Sequence, residues 1–177
     1  FTNGVATASM TLFKAETAVI ATTDGTIAAA GADRLTVVVS AAAAAKFVIT
    51  GSATQTAGSS QNITITASDA NGNVATTYTG AKTLTFSGAN LAPDATAPTV
   101  SATAFGTGTS ITFSNGVAST VAMVLYAAET AQVSTTDGTL TSATAGDLTV
   151  TVSANVATLA NSTVSASPTT ITANGTA

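Results

Sequence analysis

The residues able to do chemistry are few. The 177-residue chain has no Cys and no His. Ser-His-Asp and Cys-His nucleophiles therefore cannot be assembled, and zinc ligation by His or Cys is excluded. Oxygen chemistry is left. Between residues 44 and 155 the carboxylates are Asp69, Asp94, Glu129, Asp137 and Asp147. A carboxylate pair can cleave a glycosidic bond. Asp69 and Asp137, however, each stand at or near a Gly-containing turn, where an acidic side chain accepts backbone N–H groups. Turn stabilisation is the expectation for both. No catalytic residue and no cofactor is assigned, and the chain is read as a non-enzyme.

Three other constellations carry sharper readings beside plain ones. Asp69-Ala-Asn-Gly-Asn is similar to part of a calcium loop, with Asp69, Asn71 and Asn73 as oxygen ligands. It lacks the further carboxylates of an EF-hand, and a plain turn is the first reading. Lys46 opens the first expected strand of the stretch and Asn155 follows the last. With Glu129 as the assisting acid they are candidates for an intramolecular Lys–Asn isopeptide bond, formed with loss of one ammonia. Against this, Glu129 and its counterpart Glu16 would sit at a bend between strands. Asn62, Asn161 and Asn174 each begin an Asn-x-Ser/Thr triplet. In a suitable host these are glycan acceptors; in a chain so rich in Thr, chance also produces them.

The elements that hold these residues come from composition and repetition. Only 7% of residues are charged, the net charge is −4, and Lys14, Arg34, Lys46 and Lys82 are the only basic residues. Nucleic-acid binding needs clustered cations, as does electrostatic attachment to anionic lipid. Neither is expected. No run approaches the ~20 apolar residues that span a bilayer. The 45% hydrophobic content sets the chain apart from disordered sequences. Abundant Thr and Val suit pleated, half-buried surfaces.

Internal repetition is the strongest signal. FTNGVA at Phe1 to Ala6 recurs as FSNGVA at Phe113 to Ala118, 112 residues later. Ala15-Glu16-Thr17, Thr22 to Thr26 and the run ending at Ala41 recur at a spacing of 113, as Ala128-Glu129-Thr130, Thr135 to Thr139 and the run ending at Ala154. One residue has therefore been gained, and it is expected to lie between strands. Thr170 to Thr176 is similar to Thr54 to Ser60. The reading is three pieces: residues 1–43 as the C-terminal part of one repeat, 44–155 as a complete repeat, and 156–177 as the first strands of the next. The abrupt opening in FTNGVA suggests processing or an excerpt, and an excerpt from a longer array is the simpler expectation for both ends.

Within the complete repeat, short alternating runs separated by Gly, Asn and Asp predict seven to nine strands. Lys46 to Thr50, Asn62 to Ser68, Lys82 to Ser87, Ser110 to Phe113, Val117 to Tyr126, Thr130 to Thr136 and Asp147 to Ser153 are expected strands. Asn71-Gly72 is a hairpin signal, with Asn73 to Thr79 as the returning strand. Residues 88–108, with Pro93 and Pro98, are expected to form an edge strand or long loop. Ile63, Ile65, Ala67, Leu84, Phe86, Leu148, Val150 and Val152 are the expected core, and Tyr78 and Tyr126 the exposed rings. Ala41 to Ala45 is too short to nucleate a helix and is expected to link domains. The fold class is all-β, as tandem immunoglobulin-like β-sandwiches, one complete and two partial.

At ASDANGN followed by TYTG, and at TVSASPTTITANGTA, the sequence resembles the bacterial immunoglobulin-like domains of invasin- and intimin-type adhesins. In that family a Ser-Pro-containing first strand leads to an Ala-Asn/Asp-Gly turn, and a second strand ends in a Lys-Asp-Ala-Asn-Gly-Asn-like turn. The matching pieces are Ser167-Pro168 to Gly175 and Asp69 to Asn73, which fall in different repeats. The complete repeat departs from the pattern at Ser52-Ala53, in place of Ser-Pro, and at Ala67-Ser68, which precede Asp69 without Lys. The resemblance implies a structural segment of an extracellular stalk, surface filament or adhesin, whose partners are adjacent repeats or neighbouring copies. The alternatives are a self-polymerising fibre subunit joined by strand addition, and a module binding a cell-surface receptor or glycan.

Overall fold

The computed structural model describes residues 1–156. Among them every regular element longer than four residues is a strand. Of the segment 156–177, expected to hold the first strands of a further repeat, all but Val156 lies outside the described residues, Asn161 and Asn174 included.

Two five-stranded sheets fill the stretch from Lys46 to Ser153. The first has the order β3-β5-β10-β7-β8: β3 Lys46–Thr50, β5 Ser60–Ser68, β10 Val117–Val124, and the short edge strands β7 Thr99–Val100 and β8 Thr103–Ala104. The second has the order β4-β12-β11-β6-β9: β4 Thr54–Thr56, β12 Leu148–Ser153, β11 Thr130–Thr136, β6 Gly80–Ser87 and β9 Thr109–Phe113. All pairings are antiparallel except that of β4 with β12. One helical turn, α1 Ala143–Gly146, joins β11 to β12.

Alternation drives this arrangement. Ile63, Ile65 and Ala67 from β5, Leu84 and Phe86 from β6, and Leu148, Val150 and Val152 from β12 all enter one core, as the period of two requires. Phe47 and Phe113 come from different sheets and stack at 6.0 Å. Tyr78 meets both rings edge-on, at 5.7 and 4.9 Å, in the geometry aromatic pairs prefer. Tyr78 is thus only partly exposed, and its hydroxyl donates to Asp137 Oδ2 at 2.7 Å. The expected exposed ring is instead packed against the core.

Three expectations are corrected. Residues 73–79 form no strand beyond a single bridge from Ser68 to Val74. The reason is topological: β5 and β6 lie in different sheets, so this stretch crosses the molecule and cannot run back beside β5. Within the turn only Gly72 has positive φ, at 87°, so Asn71-Gly72 is not a two-residue hairpin. The body also holds ten strands rather than seven to nine. β4 and the β7/β8 pair are two or three residues long, too short to show alternation.

A separate two-stranded sheet pairs β1 Thr17–Ile20 with β2 Leu35–Val38. Its register is Thr17↔Val38 through Ile20↔Leu35. In the body, β11 and β12 pair as Thr130↔Thr151 through Val133↔Leu148. Every partner is displaced by 113, so the two hairpins share one register, residue for residue. The same is true of the loops. Asp24 Oδ1 accepts the N–H groups of Thr26 and Ile27 at 2.9 and 2.7 Å; Asp137 Oδ1 accepts those of Thr139 and Leu140 at 2.9 and 2.7 Å. Val39 N donates to Glu16 O at 2.8 Å, and Val152 N to Glu129 O at 2.7 Å.

The Asn-Gly turns repeat as well. Asn3 and Gly4 have φ of 52° and 78°, and Asn115 and Gly116 have 48° and 83°. Positive φ at both central residues is the twist-matched two-residue turn that favours Asn-Gly. Between these turns and the next matching segment the spacing changes from 112 to 113. The extra residue lies inside β10, not between strands. The register of β10 against β5 shifts between Ala118 and Val121, and Thr120 there has φ of 57°. A β-bulge inserts one residue in just this way.

Candidate functional site

The Asp69–Asn73 turn is the most densely bonded polar feature of the described residues. It ends β5 at the rim where the chain enters the body. Asp69 is buried, and both its oxygens are used. Oδ1 accepts the N–H groups of Asn71 and Asn73 at 2.9 and 2.8 Å. Oδ2 accepts Asn73 Nδ2 at 2.9 Å and the backbone N–H of Ala42 at 3.1 Å. These donors favour the ionised form. The Asn73 side chain, helped by the N–H groups of Ala42, Asn73 and Asn71, holds the carboxyl below its ordinary range against the opposing effect of burial.

Asn73 carries the contact outward. Its Nδ2 also donates to Phe13 O at 2.8 Å, and its Oδ1 accepts Ala15 N–H at 2.9 Å. The turn therefore grips the segment before β1 through Phe13 and Ala15, and the linker after β2 through Ala42. All three contacts are to backbone. Sequence reasoning found Asp69, Asn71 and Asn73 as oxygen-bearing residues, and the structure brings them into one turn. It missed their partners, because backbone N–H and C=O groups leave no residue-type signal. A cation ligated by Asp69 would have to displace the N–H donors already facing its oxygens.

The isopeptide candidates are not brought together. Lys46 begins β3. β12 runs parallel to β4 with Ser153 beside Thr56, so Asn155 lies at the far end of the body. Ten residues of largely extended chain separate those ends, a distance on the order of 30 Å. Glu129 is at Asn155's end, where its carboxylate accepts Asn90 N at 2.8 Å and Asn90 Nδ2 at 2.5 Å. Its counterpart Glu16 instead pairs with Lys14 Nζ at 2.6 Å. Asn62 is exposed on β5.

A second polar unit joins Tyr78 to Asp137. Burial pushes the Asp137 carboxyl up, but the N–H of Leu140, the Tyr78 hydroxyl and the N–H of Thr139 together hold it below its ordinary value. Burial first, and then the bond to Asp137, push the Tyr78 phenol well above its ordinary range. The ammonium of Lys82 lies 4.9 Å from the Tyr78 ring centre, within cation–π range. These contacts lock the crossing segment onto the β11–β12 loop. They spend the one carboxylate of the shallow depression lined by Ala43, Tyr78, Asp137 and Leu140.

Compared with known proteins, the chain matches no family model and no curated protein. What its geometry does well is hold one run of backbone against another.

Proposed function

We propose that the chain is a structural segment of an extracellular surface filament, stalk or adhesin, built from tandem immunoglobulin-like sandwiches. Residues 1–43 are the closing part of one unit, 44–155 a whole unit, and 156–177 the start of another. The observation that carries this reading is the identity of register between β1–β2 and β11–β12 at a constant spacing of 113. A hairpin with the same pairings, the same loop bonds and the same flanking Asn-Gly turn is the same structural part, occurring twice. The Asp69–Asn73 grip supports it further, since a spacer needs units held at a set angle. The test is the length of the native protein under denaturing conditions, together with its shape by negative-stain imaging. A chain with further copies at this spacing and an elongated particle is expected; a compact globule would sink the reading.

The exposed apolar residues of the first hairpin also support a second reading, a fibre subunit completed by a neighbouring chain. An unpaired sheet edge invites strand addition, and an exposed apolar face gives the side chains of the added strands something to cover. Residues 1–43 and 156–177 together are much shorter than the 112 residues of 44–155, so such a composite would be a small sandwich. Concentration-dependent assembly of the 177-residue chain, seen by sedimentation, would favour this reading; a monomer at every concentration would remove it.

A further inference from the structure

The grip of Asn73 on Phe13 and Ala15 has a receiving side as well as a gripping side, and the receiving side occurs twice. At the spacing of 113, Phe13 corresponds to Tyr126, Ala15 to Ala128 and Ala42 to Asn155. Tyr126 follows the end of β10 and Ala128 precedes β11, as Phe13 and Ala15 precede β1. Glu129 O and Val152 N bond as Glu16 O and Val39 N do, so the backbone next to Ala128 is held as it is next to Ala15. Ala128 and Asn155 are exposed, and Tyr126 is half-buried.

We infer that the rim formed by Tyr126, Ala128 and Asn155 is a docking site for the Asp-x-Asn-x-Asn turn of the unit that follows in the same polypeptide. This rests on the tandem reading above. The asparagine of that turn donates to Tyr126 O and accepts Ala128 N–H, and its aspartate accepts Asn155 N–H. These are the bonds that Asn73 and Asp69 make to Phe13, Ala15 and Ala42. Because only backbone is read, the change from Phe13 to Tyr126 and from Ala42 to Asn155 does not alter the bonding groups. The consequence is a junction of fixed angle at each unit boundary, set by a two-residue pincer rather than by apolar burial. Pro cannot occupy the place of Ala128, because the N–H is the group recognised.

The test extends the full chain. Thr170 to Thr176 is similar to Thr54 to Ser60 at a spacing of 116, so appending a second copy of residues 62–156 after Ala177 supplies the rest of the following unit. Amide hydrogen exchange is then followed at Ala128. The expected result is exchange slowed about tenfold relative to the 177-residue chain, the effect of one ordinary hydrogen bond. Replacing Asn73 by Ala in the appended copy alone should restore the original rate. An appended unit that is folded, by protection of its own core strands, while Ala128 exchanges as before would overturn the dock and leave the tandem reading standing. A parallel arm needs no added unit: Asn73→Ala in the 177-residue chain should speed exchange at Ala15 about tenfold. Unchanged protection of Ala15 would overturn the pincer itself.

Discussion

The same hairpin stands in this molecule in two circumstances. β11–β12 is one wall of a closed core; among the described residues nothing closes over the apolar face of β1–β2, where Leu35 is 58% exposed. Within the hairpins Leu148 is 9% exposed and its counterpart Leu35 58%; in the segments that precede them Phe113 is 2% exposed and Phe1 99%, and Met123 0% and Met10 50%. Yet the pairing register and the loop hydrogen bonds are the same. The difference teaches which part of the structure is local. Asn-Gly turns, Asp-capped loops and strand pairing follow from sequence near at hand. Burial follows from the company of strands that are distant in sequence.

That contrast can be broken or sharpened by substitution at matched positions. The largest effect is expected at the Phe pair. Phe113 packs on Phe47 and Tyr78, so Phe113→Ala should destabilise the body by about 3–5 kcal/mol. Phe1→Ala should change stability by less than about 0.5 kcal/mol, as for other surface sites. Urea unfolding followed by tyrosine fluorescence measures both. Equal effects would mean that Phe1 is covered in solution.

Next is the bond from Tyr78 to Asp137, which has no equivalent at Asp24 because the stretch 1–43 contains no counterpart of Tyr78. Tyr78→Phe should cost about 1–2 kcal/mol, the usual value for a bond to a charged group somewhat reduced by partial exposure. Its pH dependence has a defined sign. The phenol is raised above its ordinary 10.0, so its contribution is whole below that pH and is lost as pH rises towards the folded value. The carboxyl of Asp137 is held below its ordinary 3.8, so its contribution is whole above that pH and is lost as pH falls through the folded value. Thermal melts across pH should therefore show an alkaline decline above about pH 10 that Tyr78→Phe removes. A decline that survives the substitution would assign it elsewhere.

The smallest effect concerns the one residue by which the two copies differ in length. Thr120 is β-branched and sits at φ 57° in the β10 bulge, a conformation that costs a non-Gly residue about 1–2 kcal/mol. Thr120→Gly relieves that strain and adds chain entropy to the unfolded state. The net expectation is a stabilisation of about 0.5–1 kcal/mol. A loss of stability would show that the Thr120 side chain contributes more than its backbone costs.

Much of this is legible in the sequence. Alternation placed Ile63, Ile65, Leu84, Phe86 and Val150 in the core, and Thr130 to Thr136 is the strand its pattern predicts. The step in spacing from 112 to 113 held the bulge, although the inserted residue was expected in a connection. What could not be read was set by topology. The Asn73 to Thr79 run looks like a returning strand, but its destination in the other sheet is decided by β6 and β11. Tyr78 looks like a surface ring because its cover, Phe47 and Phe113, is remote in sequence. At the junction, Asp69 and Asn73 were visible as oxygen-bearing side chains. Their roles were not, because they bind the backbone of Phe13, Ala15 and Ala42.

The central claim is that residues 1–43 are the closing part of a unit with the fold of 44–155. It is tested most directly by supplying the missing part. Residues 44–112 placed before Phe1 would complete that unit at the natural spacing, and hydrogen exchange would then be compared at two matched amides, Val39 and Val152. These make the same bond, to Glu16 O and Glu129 O. The account predicts that Val39 exchanges far faster than Val152 in the 177-residue chain and becomes comparably protected in the extended one. Protection of Val39 that stays low after the extension would contradict it.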